Sequence, residues 1–111
     1  MSRGNRPVAD VLSDALSHLD AVADYAIGNL KEQKTVDAIC MRLSAAIEAL
    51  ADLDETTRTD LFGSTWPQMW GMRNRIAHGY LLVNPPIVRA TVERDLPIIT
   101  RAVRLGLREP T

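Results

Sequence analysis

The sequence predicts an all-α fold, an antiparallel bundle of four to five helices in a single domain spanning residues 1–111. Three observations predict it. Hydrophobic residues make up 46% of the chain and aromatics only 5%, and much of the apolar content is Ala and Leu, which favour helix over sheet. Apolar residues recur at three- and four-residue spacing over long stretches, the period of a helix with one buried face. Short segments holding Gly, Pro and Asn separate those stretches, which suits antiparallel neighbours joined by tight connections. A chain of 111 residues buries about two-thirds of its unfolded surface, enough for one core.

Residues 1–6 are polar and expected to fray. Pro7 suits a first helical turn, where a missing N–H costs nothing. Val8, Val11, Leu12, Ala15, Leu19 and Val22 then mark the first helix, with Gly28 as its expected close. His18 lies off this stripe beside Asp14 and reads as a surface histidine. A second helix begins near Glu32, with Val36, Ile39, Leu43, Ile47 and Leu50 on its apolar side. Cys40 falls inside that stripe, so it reads as a small core residue and not a nucleophile. Glu48 sits at the stripe's border, either paired with a later arginine or solvated.

A polar connection, Asp52–Gly63, holds a short helix at Glu55–Phe62. Thr65-Trp66-Pro67-Gln68 fits a capping box, with Thr65 as N-cap and Gln68 at the third helical position. The long helix that follows is expected to stop at Gly79 in a left-handed conformation. Trp66 is assigned to the core, although the Trp66 and Trp70 spacing also suits stacking on bases. Leu81-Leu82-Val83 is too short to assign. Asn84-Pro85-Pro86 reads as a capped helix start. Pro97 removes a helical hydrogen bond and is expected to kink or restart that helix, with Asp95 as the new cap. Gly106 and Pro110 are expected to end the last helix.

No apolar run approaches the ~20 residues needed to span a bilayer. No apolar segment follows the N-terminal charges, so no signal peptide is expected and the cytoplasm is the expected compartment. One cysteine forms no internal disulfide, in keeping with that compartment. There is no Gly-rich phosphate loop, no Cys/His cluster with metal spacing and no paired-carboxylate signature, so any chemistry is expected to need neither metal nor cofactor. The net charge of −1 hides an asymmetry. Residues 1–60 carry 6 basic and 11 acidic side chains, and residues 61–111 carry 7 basic and 3 acidic. All seven basic residues of the second half are arginines. Such a half suits a polyanion or an acidic partner, or simply a solvated face.

The segment Arg73-Asn74-Arg75-Ile76-Ala77-His78-Gly79-Tyr80 concentrates the reactive side chains. Arg73 offers a planar fork of donors suited to phosphate. His78 is the residue type able to give or take a proton near neutrality. Five residues separate them, about 140° around a regular helix. They converge within one chain only if the helix stops near His78.

Set in Arg73-x4-His78-x-Tyr80, with Asn74 at the polar position and Trp66-x5-Met72 before it, the chain resembles the HEPN superfamily, and within it the HepT toxins of HepT–MntA toxin–antitoxin pairs. Lys34-Thr35-Val36-Asp37-Ala38, Glu48 and Asp95-Leu96-Pro97 extend the resemblance over most of the chain. It departs from the pattern at Leu81 and Asn84, where many relatives have an aromatic residue and an aspartate, and at Ile47, where glycine is common. The resemblance implies a HEPN-like bundle acting as a metal-independent endoribonuclease with RNA as substrate. It implies a homodimer in which two motifs form one composite cleft. Arg73 and His78 would be catalytic. Asn74 would position phosphate or hold His78 in one tautomer. Tyr80 would be AMPylated by an MntA-like nucleotidyltransferase antitoxin, with a tyrosine packed after the helix end as the plain reading of the same residue. The other reading of the whole is a non-catalytic helical module that pairs with a nucleotidyltransferase, with Arg73 structural and bonded to Glu48.

Overall fold

Two 18-residue helices form the centre of the core in a computed structural model that describes residues 6–79 and 85–108. The first, α1 (Val8–Tyr25), buries Val11, Leu12, Ala15, Leu19 and Val22. The second, α2 (Gln33–Leu50), packs along it and buries Val36, Ile39, Leu43, Ala46, Ile47 and Leu50 among others. These are the three- and four-spaced positions of each helix, so the stripe in the sequence is the seam in the fold. His18 is only half-buried, and its ring ties the two helices. Arg42 Nη1 approaches His18 Nδ1 at 3.1 Å, and Nε2 faces Asp14 at 4.0 Å. A guanidinium only donates, so this contact requires Nδ1 as acceptor and leaves the ring proton on Nε2.

The connection to the short helix α3 (Glu55–Phe62) is held at both ends. Asp54 accepts from the Thr57 N–H at 2.7 Å as N-cap. That bond to the charged form holds the Asp54 carboxyl below its ordinary range. Arg58 reaches back to donate to the Ala51 and Leu53 carbonyls. These groups follow α2, where backbone acceptors lack helical partners. Gly63 turns the chain at φ 53°, a left-handed value that favours glycine.

Next, α4 (Thr65–Gly79) packs against α2 and touches α3. Thr65 is its first helical residue instead of its cap, a shift of one position at an end where the backbone bond Trp66 N–H to Gly63 O already starts the turn. At the other end, Gly79 is still helical and is the last of the described residues of α4. The remaining helical run comprises α5 (Pro85–Ala90), a π-helical turn (Thr91–Asp95) and α6 (Leu96–Arg108). The α6 segment returns against α1 and α3. Among the described residues this makes five helical units, an all-α bundle.

Three expectations need correction. First, α1 ends at Tyr25, and Gly28 lies in the turn beyond, with its N–H on the Tyr25 carbonyl at 3.0 Å. Second, the helix does not restart at Pro97, and Asp95 is not a cap. The Leu96 N–H reaches back five residues to the Thr91 carbonyl, and both Ala90 and Leu96 keep right-handed helical angles. A wider turn just before a proline relieves its clash with the preceding turn and absorbs the missing N–H. Third, Gly106 is inside α6 and does not end it. A Cβ there would stand 2.9 Å from Leu12 Cδ1 and 3.1 Å from Leu61 Cδ2, so this glycine lets α6 approach α1 and α3. Met1–Asn5, the run Leu81–Val83, the Asn84 cap, Pro110 and Tyr80 lie outside the described residues. No helix among the described residues is long and apolar enough to cross a membrane.

Candidate functional site on helix α4

Two faces of α4 carry the residues singled out in the sequence. On the first, Arg73 is held on three sides. Its Nε donates to Glu48 Oε1 at 2.8 Å, and Nη2 donates to the same oxygen. Its Nη1 donates to Asn74 Oδ1 at 3.1 Å. Its guanidinium carbon lies 4.9 Å from the centre of the Trp70 ring, a cation–π stack. The Arg73 side chain is 24% exposed and that of Glu48 50%, so the pair is partly screened by water and contributes little stability by itself. Its effect is orientation. Glu48, left open by the sequence as paired or solvated, is paired.

The ring under Arg73 belongs to a short aromatic ladder. Phe62, buried, lies 6.2 Å from Trp66, and Trp66 stacks on Trp70 at 5.9 Å with 23° between the planes. Arg58 lies 5.0 Å from the centre of the Trp66 ring, the middle of the three. Both tryptophans are half-buried against the core. Their four-residue spacing stacks them along one side of α4. Trp70 was given no structural role by sequence reasoning, and the signal for it was present, since Arg73 follows it at i+3.

The second face carries Gly71, Arg75 and His78. His78 is exposed, as is Arg75. Because α4 stays helical through Gly79, Arg73 and His78 remain about 140° apart around its axis. The structure therefore does not bring them together within one chain. It sets His78 about 60° from Arg75 instead. Asn74 accepts from Arg73 and so orients the guanidinium. Of the other arginines, Arg104 pairs with Asp20 at 3.0 Å, while Arg89, Arg94, Arg101 and Arg108 are exposed. Cys40 is buried, and burial with the nearby Asp37 charge pushes its thiol up from the ordinary range, so it is a poor nucleophile.

Beside Glu48, a groove between α2 and α4 is lined by Cys40, Met41, Ser44 and Ile76 and has a volume of about 610 Å³. Met41 is 73% exposed there. Among the described residues, no group of three or more His, Cys, Asp or Glu side chains is placed to hold a metal ion.

Residues 12–105 match a protein family described as Ribonuclease HepT-like. The chain belongs to the HepT-like ribonuclease family. Comparison with curated proteins and with solved structures gives no match. The matched range takes in α2, α3, α4 and the π-helical turn whole, together with most of α1 and α6, so the membership covers both faces of α4.

Proposed function

We propose that this HepT-like protein is the toxin of a toxin–antitoxin pair, a metal-independent endoribonuclease that works as a homodimer. The observation that carries the reading is the arrangement of α4. A fixed, oriented guanidinium and an exposed imidazole sit on one helix but on different sides of it. A second copy reunites them, with Arg73 of one chain facing the same phosphate as His78 of the other. The open groove beside Glu48, with Met41 exposed in it, offers an apolar surface for that second copy.

The chemistry needs no metal, because RNA brings its own nucleophile. The 2′-hydroxyl oxygen attacks the adjacent phosphorus, the bond to the 5′-oxygen breaks, and the products are a 2′,3′-cyclic phosphate and a 5′-hydroxyl. His78 takes the hydroxyl proton or returns one to the leaving oxygen, a role worth roughly 10²–10⁴-fold. Arg73 neutralises charge developing on the phosphate oxygens. Asn74, bonded to Arg73, keeps that fork in place. An MntA-like nucleotidyltransferase antitoxin then silences the enzyme by transferring AMP from ATP to the Tyr80 hydroxyl, with pyrophosphate leaving. The added phosphate brings negative charge and bulk that oppose RNA binding.

RNA cleavage in EDTA by the wild type, Arg73→Ala and His78→Ala tests the nuclease. Cleavage by the wild type and its loss in both variants is expected, and equal cleavage by all three overturns it. Intact mass after incubation with ATP and the nucleotidyltransferase tests the regulation. The expected gain is one AMP per chain, absent in Tyr80→Phe. The second reading, a non-catalytic module that pairs with a nucleotidyltransferase, draws on the Arg73–Glu48 pair. It predicts no cleavage by the wild type.

A further inference from the structure

On the side of α4 away from Glu48, the helix forms one wall of a cavity of about 460 Å³, closed by α2, the π-helical turn and α6. The floor is apolar, with Leu43, Ile47, Met69 and Ile99 all buried. The rim is polar and exposed, at Gln68, Arg75 and Asp95. A volume in this range is that of a small-molecule site, with an apolar body and a few polar groups to fix orientation.

Gly71 stands in the α4 wall. A Cβ built on it meets nothing within 4 Å. Glycine inside a helix costs about 1 kcal/mol relative to alanine, and no close packing requires it here. Its consequence is space. Helical register places Gly71, Arg75 and His78 within about 60° of one another. Arg75 touches the Met72 sulfur at 3.9 Å, and among the described residues no carboxylate lies within ion-pair distance of it. A cation left in that state is complementary to phosphate. The opposite wall is a π-helical turn, a distortion that concentrates at functional sites.

We propose that this cavity binds one unpaired nucleobase of the RNA strand, with the attached phosphate against Arg75 on the His78 side of α4. A base has a flat apolar face and a hydrogen-bonding edge. The face lies over the apolar floor and the polarisable thioethers of Met69 and Met72. The edge meets Gln68, which both donates and accepts, and Asp95, which accepts. The inference rests on the ribonuclease reading and adds to it a site that selects where the strand is held.

The test uses a fluorescein-labelled 2′-O-methyl oligoribonucleotide, which lacks the nucleophile, in an intact form and as a series with one abasic unit at each position. For the wild type, one abasic position is expected to weaken binding about tenfold, the scale of losing one bound base. Gly71→Leu, which fills the cavity, is expected to weaken binding of the intact strand about as much and to abolish the sensitivity at that position. Binding insensitive to every abasic position overturns the proposal, as does sensitivity that persists in folded Gly71→Leu. Should Gly71→Leu not fold, Asp95→Ala at the exposed rim takes its place, with reduced sensitivity at that position expected and unchanged sensitivity overturning the site. Failure of the nuclease reading shows separately. A wild type that binds the 2′-O-methyl strand with the expected pattern, yet leaves the unmodified strand whole in EDTA, keeps the cavity and loses the catalysis.

Discussion

The two faces of α4 are built on opposite plans. Toward Glu48, every donor of Arg73 that the structure pairs is used in holding the side chain still, and Trp70 supports it from beneath. Toward the π-helical turn, Gly71 and Arg75 line an open cavity, and the Arg75 and His78 side chains are exposed. One face is satisfied and the other is waiting. Orientation of a guanidinium requires partners that do not move, whereas the proton exchange proposed for His78 and the base binding proposed for the cavity require access. On the proposed reading, a single helix serves both needs by separating them around its axis.

The sharpest way to break this comparison is complementation. His78→Ala is expected to lose roughly 10²–10⁴-fold in cleavage rate while its melting temperature stays put, because the side chain is exposed. Arg73→Ala is expected to lose comparable activity and also some stability, because it leaves Glu48 and Trp70 without their partner. Refolding the two inactive variants together restores cleavage if the faces meet across a dimer, since one heterodimer cleft then keeps both groups. No restoration would place the reacting pair in one chain, against the geometry of α4.

The satisfied face should also be the mechanically sensitive one. Trp70→Ala removes one of the three rings of the aromatic ladder and is expected to cost about 2 kcal/mol in a urea melt, below the full core value because the ring is half-buried. Two helical glycines give opposite signs. Gly106→Ala drives a Cβ into Leu12 and Leu61 and is expected to destabilise by about 1–3 kcal/mol. Gly71→Ala meets open space and is expected to stabilise by up to about 1 kcal/mol. A destabilised Gly71→Ala would show that the wall is not open.

Smaller effects sharpen the electrostatics. Glu48→Gln is expected to change stability by less than about 1 kcal/mol, as partly exposed ion pairs do. It should tighten RNA binding at low salt, because Arg73 keeps its charge and loses the neutralising carboxylate. Smallest is the Asp54 cap on α3, the helix that supplies Arg58 to the ladder. Its folded carboxyl lies below the ordinary value because of the Thr57 N–H. The cap's contribution is therefore full above the unfolded pKa of about 3.9 and is lost as pH falls through the lower folded value. Asp54→Ala should shallow the acid limb of a stability–pH curve and leave the neutral range with a small constant loss.

Much of the fold was legible because burial follows period. The stripes on α1 and α2 are buried where the three- and four-residue spacing places them, and α3 spans Glu55–Phe62 as the sequence places it. The punctuation was less legible. Gly28, Gly106 and Pro97 all read as stops, yet they lie past a helix end, inside a helix and after a π-helical turn. Glycine and proline report that the backbone does something unusual, and a neighbouring helix decides what. In the candidate site, Arg73, Asn74 and His78 stand out in the sequence as candidates by residue type, and Glu48 as a candidate partner, which it is for Arg73. Gly71 and Arg75 do not, because a cavity has no signature in one segment. It exists only where α2, α4 and α6 fail to fill the space between them.

By itself the sequence determined the helical class, the buried stripes and the candidate reactive side chains, since these depend on residue type and on spacing along one chain. Only the tertiary structure decided which arginine is immobilised and which has no carboxylate partner among the described residues. Arg73 and Arg75 are the same residue two positions apart, and helical geometry turns one toward the carboxylate on α2 and the other toward an opening. That outcome depends on what the neighbouring helices present at each angle, which no local pattern encodes.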